Sequence, residues 1–305
     1  MSEAFALHRV SRGFSGFRLQ IDQLQMARGY VLGLVGRNGA GKSTTIKILT
    51  NLVYPDAGEV SVLGLRQPAD ELAIKRRIGY LGENPAFYEQ VTVGWLAGLV
   101  SRYYPTWDDA LYRSYLGKFG LAAGKRVREL SRGMKVKLGL TLALAHRPEL
   151  LILDEPTSGL DPVVRRELLA EIAEIVQDER RTVLFSSHIT GDVEQIADFV
   201  AILEEGRLVE FADREALFDR AKRVSGTLGG GGVGDLTADA LAGLFSEIEV
   251  RGTEFTGVTR DFSAAWLDRL KARGAADLKV ADVSLEDILV SLTGKGSERD
   301  VAAGE

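Results

Sequence analysis

The 305-residue chain contains no cysteine, which excludes disulfides and thiolate-held metal. It also lacks any stretch approaching the ~18 uninterrupted apolar residues of a membrane span. Even Leu138 to Leu153 is broken by His146, Arg147, Pro148 and Glu149. Met1 to Arg9 carries no basic start with a long apolar core, so no secretory signal is expected there. An excess of positive charge is missing as well. The 38 Lys and Arg face 43 Asp and Glu, a net charge of −5, which gives no support to a nucleic-acid surface. A chain working in the cytoplasm is expected, with any membrane role coming through a partner. What is present is an ordinary globular composition, 45% apolar, and enough length for one large domain plus a smaller one.

Within that composition one stretch stands out. Gly36-Arg37-Asn38-Gly39-Ala40-Gly41-Lys42-Ser43 has the form G-x-x-x-x-G-K-[ST] and lies between the apolar run Tyr30 to Val35 and a helix-like segment, Thr44 to Leu52. This is a phosphate-binding loop in its strand-loop-helix context. Gly36, Gly39 and Gly41 have no Cβ, so the loop can curl its N–H groups inward around an anion. Lys42 then reaches the β- and γ-phosphates, Ser43 offers a hydroxyl to Mg²⁺, and the helix start adds partial positive charge.

Further motifs follow in order. Phe17 to Asp22 and Leu24 to Met26 alternate as half-buried strands do. Phe14 stands in a loop-like context, where it either stacks on a base or anchors the loop. A helix is expected through Ala69 to Arg77, and then the short strand Ile78 to Leu81, which ends at Glu83. That carboxylate either faces a metal or is solvated. Val91 to Leu121 is rich in aromatics, which read as the core of a helical subdomain, with Phe87 and Tyr88 as better candidates for a partner-binding groove. Ser131 caps a helix running to His146, whose start, opened by Gly133, suits an anion.

The strand Leu150 to Glu155 closes on two carboxylates. Asp154 is suited to holding Mg²⁺, and Glu155 to polarising a water for attack on the γ-phosphate. Ser158 to Pro162 is a turn leading into a helix to about Val176. Thr182 to Ser187 repeats the buried-strand pattern and delivers His188 to the same sheet edge, where it can sense the γ-phosphate.

This ordered set resembles the nucleotide-binding subunit of ATP-binding cassette (ABC) transporters over nearly the whole chain. Gly36 to Ser43 is similar to the Walker A loop, Leu150 to Glu155 to Walker B, and Leu130 to Met134 to the signature. Ser158 to Asp161 is similar to the D-loop and His188 to the switch histidine. Phe14 then matches the adenine-stacking aromatic. The resemblance implies a mostly parallel α/β P-loop fold with an antiparallel β edge and a helical subdomain at about 88–148. It implies ATP bound by Phe14, by residues Gly36 to Thr44, and by Ser131 and Gly133. Mg²⁺ would be held by Ser43, Asp154 and Glu83, with Glu155 and His188 as catalytic residues. It also implies a head-to-tail dimer around two ATP molecules, each between the P-loop of one cassette and the signature of the other, driving a separately encoded membrane permease.

Departures from the pattern are visible. Glu83 replaces the usual glutamine, and Arg132 and Met134 replace a glycine and a glutamine of the signature. Arg132 either adds charge at the phosphate contact or points to solvent. The cassette is expected over residues 1–224. Gly226 to Gly234 is read as a junction, or as a glycine-rich hairpin, leading to a small α/β appendage over 225–305. The tail Ser284 to Gly294 resembles the ending of exporter cassettes. Two rivals stand beside this reading. A soluble cassette acting on DNA or ribosomes lacks here the long insertions or second cassette it would need, and a weakly hydrolysing regulatory module is left open by Glu83 and the altered signature.

Overall fold

The computed structural model describes residues 2–176, 181–228, 241 and 243–293. The chain opens with a long hairpin, β1 (Glu3–Phe14) and β2 (Phe17–Ala27), antiparallel, with Phe14 opposite Phe17. The tight turn Ser15-Gly16 requires a positive φ, and Gly16 supplies it at 79°. Next come β3 (Val31–Val35), α1 (Lys42–Leu49), β4 (Ala57–Val62), β5 (Leu65–Arg66), α2 (Glu71–Lys75) and β6 (Ile78–Leu81). Helix α2 is shorter than Ala69 to Arg77, because Asp70 first closes a turn. Its carboxylate accepts from the Arg66 N–H at 2.9 Å, while its own N–H donates to the Arg66 carbonyl.

The helical segment contains α3 (Val93–Val100), α4 (Asp109–Lys118) and α5 (Arg132–Leu144). Each starts on a side-chain cap: Thr92 accepts from Trp95 N–H, Asp108 from Ala110 and Leu111, and Ser131 from Met134. Tyr112, Leu116 and Phe119 are buried, whereas Trp95 and Tyr103 are exposed, so the aromatics divide between core and surface. Then follow β7 (Leu150–Asp154), α6 (Pro162–Val176), β8 (Thr182–Ser187), α7 (Thr190–Ile196), β9 (Phe199–Glu204) and β10 (Arg207–Asp213).

These strands form one ten-stranded sheet in the order β5-β4-β1-β2-β10-β9-β3-β8-β7-β6. Strands β9, β3, β8, β7 and β6 run parallel, and β2, β1, β4 and β5 form an antiparallel edge. β3, β7 and β8 are buried at every residue, which is why their sequences read as unbroken apolar runs. Val35 pairs with Ser187 and Asp154 with Ser186, so the carboxyl ends of the three strands lie level. Glu149, just before β7, accepts from both Arg28 and Arg77, and the Arg77 guanidinium holds its carboxyl below the usual glutamate range.

The chain divides into two compact units between Phe211 and Ala212. The second contains α8 (Arg214–Arg220), β11 (Lys222–Leu228), β12 (Glu247–Arg251), β13 (Glu254–Thr259), α9 (Ala264–Ala272), β14 (Ala275–Asp282) and α10 (Leu285–Thr293). Its antiparallel sheet has the order β12-β13-β11-β14. Val224, Phe255, Trp266 and Leu270 form its core, with the Trp266 ring edge-on to Phe245 at 5.1 Å. The division falls ahead of the 224/225 boundary that composition suggests, because β11 already belongs to this second sheet. The rest of the expected junction, from Gly229, lies outside the described residues, as does Gly294. Among the described residues no helix is long and apolar enough to cross a membrane.

Candidate active site

The loop after β3 and the start of α1 form one wall of a cleft of about 760 Å³ in the first unit. Gly41 is what allows the loop to close. Its φ is 110°, and a Cβ there would lie 2.8 Å from Leu19 Cδ1 and 3.2 Å from the Phe17 ring. With Gly41 as its N-cap, α1 presents Lys42 and Ser43 in its first turn and has no side-chain cap, so its leading N–H groups are left for an anion.

Lys42 is buried, at 5% exposure. Its ammonium donates to Gly36 O at 2.8 Å and Arg37 O at 3.3 Å and lies 3.1 Å from Glu155 Oε1. Burial of either charge alone would be costly, and the pairing offsets that cost. The second Glu155 oxygen lies 2.7 Å from His188 Nδ1 and accepts the His188 N–H at 3.2 Å. Glu155 itself adopts φ 50°, an uncommon backbone region for a side-chain-bearing residue. Its N–H is held by Ser186 Oγ at 2.9 Å.

Asp154 lies one hydrogen bond behind the cleft. Its Oδ1 accepts from Ser43 Oγ at 3.2 Å and from Ser186 Oγ at 2.7 Å. A serine hydroxyl and a carboxylate side by side are hard oxygen donors of the kind Mg²⁺ takes. Among the described residues no three His, Cys, Asp or Glu side chains cluster as a metal cage.

Of the residues singled out in the sequence, Asn38, Gly39, Ala40, Gly41, Lys42, Ser43, Thr44, Glu83, Glu155 and His188 line this cleft. Gly36 and Arg37 support the loop through their carbonyls. Phe14 does not line it. Its ring sits at the hairpin tip with the Arg12 guanidinium 5.3 Å from its centroid, and the cleft wall carries Phe17 instead, 6.3 Å away. Ser158 is the other lining residue not assigned a binding role; its place directly after Walker B was the available signal. Ser131 and Gly133 lie outside the cleft of their own chain.

Arg132 is exposed, as is Gly159 in the D-loop turn. Its guanidinium lies over that glycine, where a Cβ would meet Nη1 at 2.4 Å. Elsewhere in the first unit, an apolar groove of about 390 Å³ is lined by Tyr80, Phe87, Val100, Tyr104, Leu142 and His146, among others. Tyr88 is exposed outside it. Tyr104 stacks on His146 at 3.8 Å, and burial pushes the His146 pKa down, which favours the neutral ring.

The family model described as ABC transporter matches residues 19–158. The chain is 37% identical over 212 residues to the bacitracin transport ATP-binding protein BcrA of Bacillus licheniformis, covering 68% of each. It is 30% identical over 285 residues to the bacitracin transport ATP-binding protein BcrA of Enterococcus faecalis, covering 90% of each. A solved structure of the ATP-binding subunit of an ABC transporter superposes with a TM-score of 0.62 at 29% identity, over 71% of this chain and 92% of that one. The cleft, the order of its motifs and these relatives agree: this chain belongs to the ABC transporter family, as a subunit that binds and hydrolyses ATP.

Proposed function

We propose that this chain hydrolyses Mg·ATP in a head-to-tail sandwich of two cassettes and thereby resets a separate membrane permease that exports its cargo. The observation that carries the reading is the convergence of Lys42, Glu155, His188 and the Ser43–Asp154 pair at the level ends of three parallel strands. The loop N–H groups and Lys42 grip the phosphates, whose oxygens replace the Gly36 and Arg37 carbonyls as partners of the ammonium. Ser43 and Asp154, with Glu83 facing the cleft, would hold Mg²⁺. The ion, when bound, offsets the negative charge of the β- and γ-phosphates.

With Lys42 engaged on phosphate, Glu155 is free to accept a proton from the attacking water. His188 holds the other Glu155 oxygen and meets the γ-phosphate. Ser131 and Gly133, outside their own cleft, engage the nucleotide of the second cassette. The apolar groove beside Phe87 suits a short permease segment, which would keep the chain at the inner face of the membrane. Export, and antibiotic-like cargo in particular, is supported by the names of the bacitracin transport relatives and by the tail beginning at Ser284.

The test is Glu155→Gln. ATP binding should persist, turnover should fall about a thousandfold, and an ATP-bound dimer should accumulate on size-exclusion chromatography. Parental turnover in this variant would refute the assignment of the general base.

A further inference from the structure

Of the two residues by which this signature departs from its family, Arg132 has a definite seat. Arg132 is the first residue of α5, and its guanidinium rests on Gly159, where a Cβ would lie 2.4 Å from Nη1, 2.7 Å from Cζ and 3.0 Å from Nη2. Next to it, Gly133 allows the same approach from the other side, since a Cβ there would lie 2.8 Å from Val164 Cγ1 on α6. One turn further along, Lys137 pairs with Glu167 at 2.7 Å. The starts of α5 and α6 and the D-loop turn between β7 and α6 are therefore packed together.

That turn leads into the catalytic cleft. Gly159 follows Ser158, which lines the cleft and whose N–H donates to the Glu155 carbonyl at 3.1 Å. The near end of the turn is tied down separately, by Thr157 Oγ1 donating to the buried Asp192 at 2.7 Å. Arg165, at the start of α6, also binds Asp192, at 2.7 Å. Arg132 and Gly159 are both exposed, and among the described residues the Arg132 guanidinium has neither hydrogen bond nor ion pair, so its contact with the turn is packing at the surface.

We propose that Arg132 is a positioning residue that fastens the signature turn to the D-loop of its own chain. A phosphate engaged at Ser131 and Gly133 then shifts Ser158 and Glu155 in this chain's cleft, so that occupancy of one site sets the geometry of the other. The inference rests on the sandwich reading above. A glycine at position 132 has no side chain with which to make this contact, so the contact belongs to the arginine.

The experiment compares full-length Arg132→Ala, Gly159→Ala and the double variant by steady-state hydrolysis across ATP concentration, alongside binding of a fluorescent ATP analogue. R132A should keep the parental analogue affinity and thermal midpoint, lose about ten- to a hundredfold in kcat, and show a Hill coefficient that falls toward unity. G159A, whose methyl displaces the guanidinium and also strains a residue held at φ 65°, should lose at least as much. The double variant should lose less than the product of the two single losses, the mark of residues acting through one contact. Parental kcat and Hill coefficient in R132A, or multiplicative losses in the double variant, would overturn the proposal. An E155Q dimer alongside an unaffected R132A would overturn this inference alone. An E155Q chain that stays monomeric with ATP would overturn the sandwich and this inference together.

Discussion

Two helix starts in the first unit carry sequences similar to the family's phosphate-contacting motifs, and they are built differently. At α1 the cap is Gly41, no side chain satisfies the leading N–H groups, and Lys42 and Ser43 open onto the cleft. At α5 the cap is Ser131, which accepts from Met134 N–H at 3.3 Å, and neither Ser131 nor Gly133 reaches that cleft. A side-chain cap satisfies one leading donor, whereas a glycine cap leaves all of them for a ligand. The first start opens onto a cleft of its own chain with its leading donors uncapped. The second is partly satisfied by its own serine, and on the reading proposed above it becomes a site when a second chain brings a nucleotide to it.

The contrast can be broken at three points. Lys42→Ala removes the ammonium that the phosphates need and should lower kcat/KM about 10²- to 10³-fold, with nucleotide affinity falling too. Retained affinity would mean that the loop N–H groups alone suffice. Ser131→Ala should cost α5 about 1 kcal/mol of capping and slow turnover about ten- to a hundredfold, the worth of a hydrogen bond to a charged group. It should leave ATP affinity of the single chain intact. An affinity loss matching that of K42A would show that both helix starts serve one cleft. Phe17→Ala should weaken ATP binding about tenfold, the scale of one base–aromatic stack, and more than Phe14→Ala does. The reverse order, measured by equilibrium titration, would return the adenine to Phe14.

The parts legible in the sequence are those whose side chains report a single environment. β3, β7 and β8 are covered on both faces, so their apolar runs announce them, and the chemistry at their carboxyl ends follows from position. β1 was hidden for a local reason. Arg9 has φ 50°, and the register against β4 shifts between His8 and Ser11, so the alternation that marks a strand is interrupted. Phe14 and Phe17 flank the same two-residue turn, and only the folded hairpin decides which ring faces the cleft.

The glycine segment misled in another way. Gly226 lies inside β11, where a Cβ would come within 2.7 Å of both the Ala276 carbonyl oxygen and Leu278 Cδ2. It is there for close strand approach, which composition does not distinguish from a linker. Arg132 was undecidable because its partner, Gly159, is 27 residues away in the chain and has no side chain to announce the contact.

The middle position of β11, flanked by β13 and β14, bears on any attempt to exchange appendages between related cassettes. A splice at the 224/225 boundary would leave Lys222, Arg223 and Val224 with the recipient cassette and bring the remainder of that strand from the donor. The imported β13 and β14 would then flank a β11 of mixed origin. A better seam lies between Ala212 and Asp213, where only the last residue of β10 is exchanged and the transplanted segment keeps the Asp213 cap of α8 and all four of its strands.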